Sequence, residues 1–220
     1  PIDTFRKLAT NSKKDADILQ DLEDALAMPS LETSLMKWIS RTPIMGSIYG
    51  SENDSESVKK YVNEHLLAHK SMGEDATNRM SSYGTSDLEK MAQRFNAAHE
   101  SAISFLVPEG KISRSRASLL FIESYRELPL LAWPRKLIDA IVELEESMVK
   151  WRHSHARMVE RIMGRRIGTG GTSGVDYLDK TSQYRVFKDL WAVRTILVKS
   201  DKRPALINPD FYGFYSEKEA

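Results

Sequence analysis

The chain has 220 residues and a mass of 25.1 kDa, which fits one domain or at most two small ones. Its near-neutral net charge of +1 gives no electrostatic reason to expect a nucleic acid or a membrane surface as a partner. The absence of cysteine excludes disulfides, thiolate catalysis, and zinc or iron–sulfur sites built on cysteine. The sequence has neither a membrane-span run of apolar residues nor a signal pattern at its start. We therefore expect a single cytoplasmic domain over residues 1–220, with a polar C-terminal tail at 199–220.

The first half of the chain is predicted to be helical. Glycine is scarce, and apolar residues recur three or four positions apart, which is the helical pattern. This spacing predicts helices over residues 15–27, 31–39, 55–72 and 88–106. Between the second and third of them, the segment from Arg41 to Ser51 is rich in helix breakers and predicts a loop. Ser86 and Glu89 together predict a capping box for the fourth helix.

The second half contains the strongest periodic pattern of the chain. A helix is predicted from Ser113 to Glu127, and a much longer one from Pro134 to Gly164. Proline suits a first helical turn and glycine suits the position after the last one. The apolar seam of the long helix comprises Leu137, Ile141, Leu144, Met148, Trp151, His155, Met158 and Ile162. A last helix is predicted over 184–198, and these elements together predict an all-α helical bundle.

Five histidines are candidates for chemistry. His65 and His69 are four residues apart, so they could share a helix face and a metal ion. Because no third ligand lies near them, a solvated helix face is the favoured interpretation. His99 lies beside an apolar stripe and is expected to be half-buried, whereas His153 is expected to be exposed.

His155 occupies a seam position that is otherwise apolar, so its imidazole needs a partner. From position alone, a hydrogen bond to a neighbouring carbonyl or to water is the favoured interpretation. The alternative is an iron ligand facing a haem held between helices, because a porphyrin needs apolar walls and an axial histidine.

A glycine-rich segment follows the long helix, with Gly168, Gly170, Gly171 and Gly174 set among hydroxyl side chains. It matches neither a Walker loop nor a dinucleotide fingerprint. Two interpretations remain, a flexible connector between helices or a polar clamp whose backbone N–H groups approach a ligand. The C-terminal end of the long helix, which precedes this segment, is basic. Its arginines could hold carboxylates such as haem propionates, or they could be solvated. They are Arg157, Arg161, Arg165 and Arg166.

Three consecutive stretches resemble the tryptophan 2,3-dioxygenase family: Trp151-Arg-His-Ser-His155, Met158-Val-Glu-Arg-Ile-Met-Gly164 and Gly168-Thr-Gly-Gly-Thr-Ser-Gly174. In that family a Trp-Arg-x-x-His run provides the proximal haem histidine, and a Gly-Thr-Gly-Gly-Ser-Ser-Gly loop follows at the same distance. The resemblance is strong over about 113–195 and looser before it, where Ala27-Met-Pro-Ser-Leu31 matches weakly. Thr172 stands where the family usually has Ser.

This resemblance implies the helical bundle of the haem-dependent tryptophan dioxygenase superfamily and a haem b cofactor. It assigns His155 as the iron ligand, with Trp151 and Gly171 as further cofactor contacts. It assigns Thr169, Gly168 and Gly170 to substrate binding. The implied reaction inserts O₂ across the indole C2–C3 bond of L-tryptophan to give N-formylkynurenine, the first step of the kynurenine pathway. The family also implies a homotetramer.

The N-terminal third of the family has no match in this chain. That third carries the distal histidine in a Gln-His-Gln-Thr-Ser-Glu-Leu-Trp run and the arginine that holds the substrate carboxylate. Arg6 is the nearest stand-in for this arginine, but its context fits poorly. No catalytic residue is therefore identified here, and the distal residues are expected in a missing N-terminal segment.

Three explanations of that absence stay open. The chain is the C-terminal part of a larger enzyme, its missing segment is a separate chain, or the activity has been lost. Two other functions also stay open, a related haem-dependent aromatic monooxygenase and a non-catalytic helical haem-binding or scaffold protein.

Overall fold

A computed structural model describes Arg6 and residues 13–81, 87–166 and 174–213 of the protein. These residues form helices joined by turns, and within them the only extended pairing is an isolated bridge between Ile44 and Ser47. The all-α prediction is confirmed. The chain divides into two compact units, residues 1–38 and 39–220. The expectation of one haem-binding domain over 1–220 stays a prediction.

The first unit contains helix α1, Lys13–Ala27, and most of helix α2, Leu31–Ile39. Both lie where the apolar spacing predicts them. Pro29 separates the two helices, and the Ser30 hydroxyl accepts a hydrogen bond from the Thr33 backbone N–H at 3.0 Å. This bond satisfies one of the free N–H groups with which a helix begins, which explains why α2 starts after Ser30.

The second unit contains the longer helices. They are α3 (Asp54–Ser81), α4 (Leu88–Leu106), α5 (Arg114–Ser124), α6 (Ala132–Met163), α7 (Gly174–Ser182) and α8 (Lys188–Thr195). Short 3-10 turns lie at Pro108–Gly110, Pro129–Leu131 and Pro209–Tyr212. None of the helices described here is long and apolar enough to cross a membrane.

Helix α5 lies at the centre of this unit and contacts α3, α4, α6 and α8. Every residue from 117 to 123 is buried, including Ser118 and Glu123. Tyr61 of α3 packs edge-on against Phe121 with ring centroids 5.3 Å apart, and Phe121 contacts Tyr125 at 4.7 Å. Aromatic contacts of this kind supply much of the burial that stabilises a helical core.

The segment before α3 is held by polar contacts rather than by helical structure. The Arg114 guanidinium donates to Asp54 Oδ1 at 3.0 Å and to the Thr42 carbonyl at 2.9 Å. Ser47 also donates to Asp54, at 2.9 Å. Burial raises the pKa of the Asp54 carboxyl, but the hydrogen bonds from Arg114 and Ser47 outweigh burial and leave that pKa below its ordinary value.

Tyr212 closes the same segment from the far end of the chain. Its hydroxyl accepts from the Gly46 N–H at 2.8 Å and donates to the Pro43 carbonyl at 3.1 Å. Because Tyr212 is fully buried, the C-terminal segment predicted as a polar tail contributes to the core of this unit.

Helix α6 is the longest element and begins two residues before its predicted start. It ends at Gly164, whose φ of +65° favours glycine because other side chains rarely adopt it. The apolar seam of α6 is exposed at four of its eight positions. Leu144, Trp151, Met158 and Ile162 are 46%, 66%, 52% and 76% exposed. The spacing identifies an apolar face correctly, but it does not identify what covers that face.

Glu145 connects α6 to the start of α8. Its buried carboxylate accepts hydrogen bonds from the backbone N–H groups of Val186 and Phe187 and from the indole N–H of Trp191. Burial raises its pKa, but these hydrogen bonds outweigh burial and leave the pKa below its ordinary value. Residues 186 and 187 are therefore held outside the helix, and the prediction that the last helix begins at 184 is wrong.

Other predicted bounds differ in smaller ways. Helix α3 continues nine residues beyond its predicted end at 72, and α5 ends before the predicted residue 127. Gly73 lies within the added part of α3, where an added Cβ would lie 3.1 Å from the Phe95 Cβ of α4. This glycine therefore allows α3 and α4 to pack closely. The predicted cap Ser86 lies outside the described residues.

Candidate functional site

His155 lies on α6, one turn after Trp151, and the two rings stack. Their centroids are 5.3 Å apart and their planes differ by 3°. The i, i+4 spacing places both side chains on one helix face. The imidazole is half-buried, and among the described residues it has no hydrogen-bond partner. Of the two partners that position alone favours, a carbonyl does not occur among the described residues, and water stays a prediction. No described side chain or backbone group therefore occupies the ring nitrogens.

A cavity of about 410 Å³ lies beside the His155 imidazole. One wall comes from α6, and the other comes from α7 and the residues after it. The Arg152 guanidinium donates to the Tyr184 carbonyl at 3.0 Å and so holds the connector after α7 at the edge of the cavity. The lining residues are Trp151, Arg152, His155, Tyr177, Leu178, Thr181 and Tyr184.

A second cavity, of about 560 Å³, follows the same helix toward its C-terminus. Its lining combines apolar Met158 and Ile162 with cationic Arg157 and Arg161. His153 also lines it and is exposed, as predicted. Apolar surface with a cationic group at its edge suits an apolar ligand that carries a carboxylate, because arginine binds carboxylates in planar pairs. Arg161 is the group for this role, since Arg157 pairs with Glu160 and Asp179.

Four charged side chains form a closed cycle that joins the end of α6 to α7, and we name this cycle the ion-pair ring. Arg157 pairs with Glu160 and with Asp179. Arg165 pairs with the same two carboxylates, at 2.9 Å to Glu160 and 4.0 Å to Asp179. The hydrogen bond from Arg157 lowers the pKa of Asp179, and the carboxylates of the ring raise the pKa values of both arginines. Arg157 and Arg165 therefore already have carboxylate partners within the protein.

The residues predicted to bind substrate, Gly168, Thr169 and Gly170, lie outside the described residues, and so does the predicted cofactor contact Gly171. Their roles stay predictions. The described chain resumes at Gly174, where α7 begins.

The other three histidines, His65, His69 and His99, make contacts within the protein. His65 is fully buried, and its Nε2 lies 2.9 Å from the Ile196 carbonyl. Burial lowers the pKa of His65 to about 4, although the bond to Ile196 acts in the opposite direction. His69 is also buried and stacks on half-buried His99 with ring centroids 5.7 Å apart.

The prediction that His65 and His69 lie on a solvated helix face is therefore wrong. The prediction that His99 is half-buried is confirmed. No group of three or more His, Cys, Asp or Glu residues that could hold a metal ion occurs in the described part of the chain. Sequence reasoning missed the pairing of His69 with His99, because their helices approach each other only in the folded chain.

Comparison with known proteins extends these observations over most of the chain. The sequence profile of a family described as Tryptophan 2,3-dioxygenase matches residues 5–197. The chain is 41% identical over 201 residues to a tryptophan 2,3-dioxygenase-like protein of Xanthomonas campestris. It is 42% identical over 204 residues to tryptophan 2,3-dioxygenase 2 of Ralstonia nicotianae, and 42% identical over 205 residues to tryptophan 2,3-dioxygenase of Sorangium cellulosum.

Each of these alignments covers 86% of this chain. The share of the relative that is covered is 72% for Xanthomonas, 53% for Ralstonia and 48% for Sorangium. The chain thus spans about half the length of two of these relatives. The match over 5–197 includes both α1 and α2 and the whole of the site on α6 and α7. By this match and by the Trp-Arg-x-x-His run on α6, the chain belongs to the tryptophan 2,3-dioxygenase family.

Proposed function

We propose that this protein takes part in the haem-dependent oxidation of L-tryptophan to N-formylkynurenine, in which both atoms of O₂ enter across the indole C2–C3 bond. The observation that carries the proposal is His155, an imidazole without a hydrogen-bond partner among the described residues, on a largely exposed apolar face of α6. It stands in the family's position for the proximal haem ligand. Because both oxygen atoms enter the substrate, the reaction balances without an external reductant.

The described residues fit a haem b group. His155 would hold the haem iron through a ring nitrogen, and the parallel stack with Trp151 restrains the orientation of the imidazole. Met158 and Ile162 provide exposed apolar contact area on the same helix, and this area excludes water when it is covered. When bound, ferrous haem supplies the chemistry that binds and activates O₂.

Substrate binding is assigned to the glycine-rich segment. The Thr169 hydroxyl holds a charged group of the amino acid, and Gly168 and Gly170 allow the backbone to approach because they lack a Cβ. Gly171 contacts the cofactor. The distal residues that orient the indole are assigned to a segment of the enzyme that has no counterpart in these 220 residues. We further propose a homotetramer that works in the cytoplasm.

The proposal is tested by removing each of two histidines in turn. His155→Ala should abolish stable haem binding, measured by the Soret band after reconstitution, while helix content stays unchanged. His153→Ala, on the same helix but exposed and away from Trp151, should keep the band. Loss of the band in the His153 variant and its retention in the His155 variant would contradict the assignment.

Product analysis of the haem-loaded protein tests the reaction itself. Incubation with L-tryptophan and O₂ should give a product that carries two added oxygen atoms, identified by its mass. One added oxygen atom would identify a monooxygenase instead. An oxygenated absorption spectrum that tryptophan does not alter would identify a haem-binding protein without turnover.

A further inference from the structure

We infer that the ion-pair ring positions α7 as one wall of the cavity beside His155, so that Asp179 is a positioning residue for the site although it does not line it. The inference rests on the proposed function only where tryptophan is concerned. Its first part, that the ring holds α7 against α6, concerns the protein without any ligand.

The apolar attachment of α7 is small. The helix has nine residues, and its only buried apolar side chain is Val175, in the first turn. Ser182, the other buried residue of α7, bonds to the carbonyl of Asp179 within the same helix. Isolated helices this short are marginal in water, so α7 depends on contacts with other elements. Helix α7 packs closely on α6, and its second turn is joined to α6 through Asp179.

The ion-pair ring holds α7 on α6 where buried apolar side chains are few. Each of its four members has two partners of opposite charge, so no member depends on one exposed pair. Arg165 adds a bond to Asp176 at 3.1 Å, one turn before Asp179. Single surface ion pairs contribute little because solvent screens them and their side chains lose entropy, whereas networks with several partners share that entropic loss.

The ion-pair ring lies next to the cavity beside His155. Two of its members, Arg157 and Glu160, lie on α6 and begin two residues after His155. Arg165 lies two residues beyond the end of α6, and Asp179 lies on α7. On α7, Leu178 directly precedes Asp179 and Thr181 follows two residues later, and both line the cavity beside His155. A shift of α7 away from α6 therefore changes the wall of the cavity beside His155.

The test removes one charge from the ring without touching the cavity lining. In Asp179→Asn, backbone amides 174–182 should exchange hydrogen roughly three- to tenfold faster than in the wild type, in the protein without haem or tryptophan. Asp139→Asn is the matched control. Asp139 has a similar exposure, lies near the other end of α6 and pairs with Arg126 and Arg194. It should leave exchange in α7 unchanged, and Asp179→Glu should restore the wild-type rate.

Salt provides a second measurement on the same variants. Because 1 M salt shortens the screening length to about 3 Å, it should speed exchange in wild-type α7 toward the rate of the Asn variant. The variant itself should respond little. Equal exchange rates in wild type and Asp179→Asn, at low salt, would overturn the inference.

The link to catalysis is measured on the haem-loaded enzyme. Asp179→Asn should raise KM for tryptophan roughly threefold or more, because the binding geometry is disturbed, while kcat and haem affinity stay within about twofold. A purely structural role would instead lower melting temperature and haem affinity along with turnover, and would overturn the positioning role. If the wild type itself does not oxidise tryptophan, the proposed function fails, and the exchange rates alone decide whether the ring holds α7.

Discussion

At the scale of single residues, buried imidazoles give the protein a pH response that is independent of the candidate site. His65 is neutral in the folded protein because burial disfavours its charged form, and its pKa lies near 4. In the unfolded chain the pKa of histidine is about 6.5. As pH falls through this window the unfolded chain binds a proton that the folded protein does not. The free energy of unfolding therefore decreases from about pH 6.5 down to about pH 4.

The difference between these two pKa values predicts how much the free energy of unfolding changes with pH. Between pH 7.5 and pH 5, His65 should account for a loss of roughly 2 kcal/mol in the free energy of unfolding. His65→Gln should be less stable at pH 7.5, since it loses packing around the imidazole. When the pH is lowered from 7.5 to 5, the free energy of unfolding of this variant should nevertheless fall by about 2 kcal/mol less than that of the wild type.

The measurement is urea unfolding at both pH values. His153→Gln is the control, because His153 is exposed, and it should keep the wild-type dependence on pH. Identical losses in the wild type and in His65→Gln would show that His65 does not carry this pH response.

At the scale of elements, a buried carboxylate determines where α8 begins. Glu145 accepts from the N–H groups of Val186 and Phe187 and from the Trp191 indole. Glu145→Leu leaves one buried donor, the Phe187 N–H, and two partly buried donors without an acceptor. A buried donor left unpaired costs about 1–3 kcal/mol, so we expect a loss of about 2–4 kcal/mol in the free energy of unfolding, measured in urea, and faster hydrogen exchange in α8.

Glu146 offers a matched control for this substitution. It is the next residue on α6, and its side chain is exposed. Glu146→Leu should change the free energy of unfolding by no more than about 0.5 kcal/mol. A similar loss in both variants would attribute the effect to helix α6 itself rather than to the bonds of Glu145.

The same element explains what the sequence could predict and what it could not. The bounds of α6 follow from Pro134, Gly164 and the apolar spacing between them, all of which are local signals. The stack of Trp151 on His155 also follows from spacing. Helix α7 has no such pattern, because Arg157, which holds it through Asp179, is 22 residues away.

The predicted start of α8 is wrong for a related reason. Tyr184 and Val186 continue the apolar pattern, so the pattern alone extends the helix over them. Glu145 binds the N–H groups of residues 186 and 187 from more than 40 positions away. Local periodicity carries no information about such an acceptor. The candidate site was therefore predictable where it lies on α6, and not where α7 completes it.

At the scale of the whole molecule, the exposed face of α6 predicts association. Trp151, Met158 and Ile162 are more than half exposed, and contiguous apolar surface of this kind usually marks a binding site. The protein without haem should therefore sediment as a species larger than 25.1 kDa. Ile162→Glu should shift it toward the monomer, because a charge on this face opposes its burial.

Leu67→Glu tests whether the location matters. Leu67 lies on α3 and is 68% exposed, close to the 76% of Ile162. Both substitutions should change the free energy of unfolding by at most about 0.5 kcal/mol, since both side chains are already in water. Only Ile162→Glu should change the sedimentation coefficient. An equal shift in both variants would mean that added charge, rather than this face, controls association.

The bonds of Tyr212 to residues 43 and 46 have a consequence for synthesis of the chain. Gly46 leaves the ribosome 166 residues before its partner. At about 5–20 residues per second, that interval is about 8–33 s. Arg114 emerges much earlier, 60 residues after Asp54, so their ion pair can form while translation continues. A nascent chain that stalls after Arg114 has emerged and before Tyr212 is added can therefore have Asp54 and Arg114 paired, while the polar groups of Pro43 and Gly46 still bond to water.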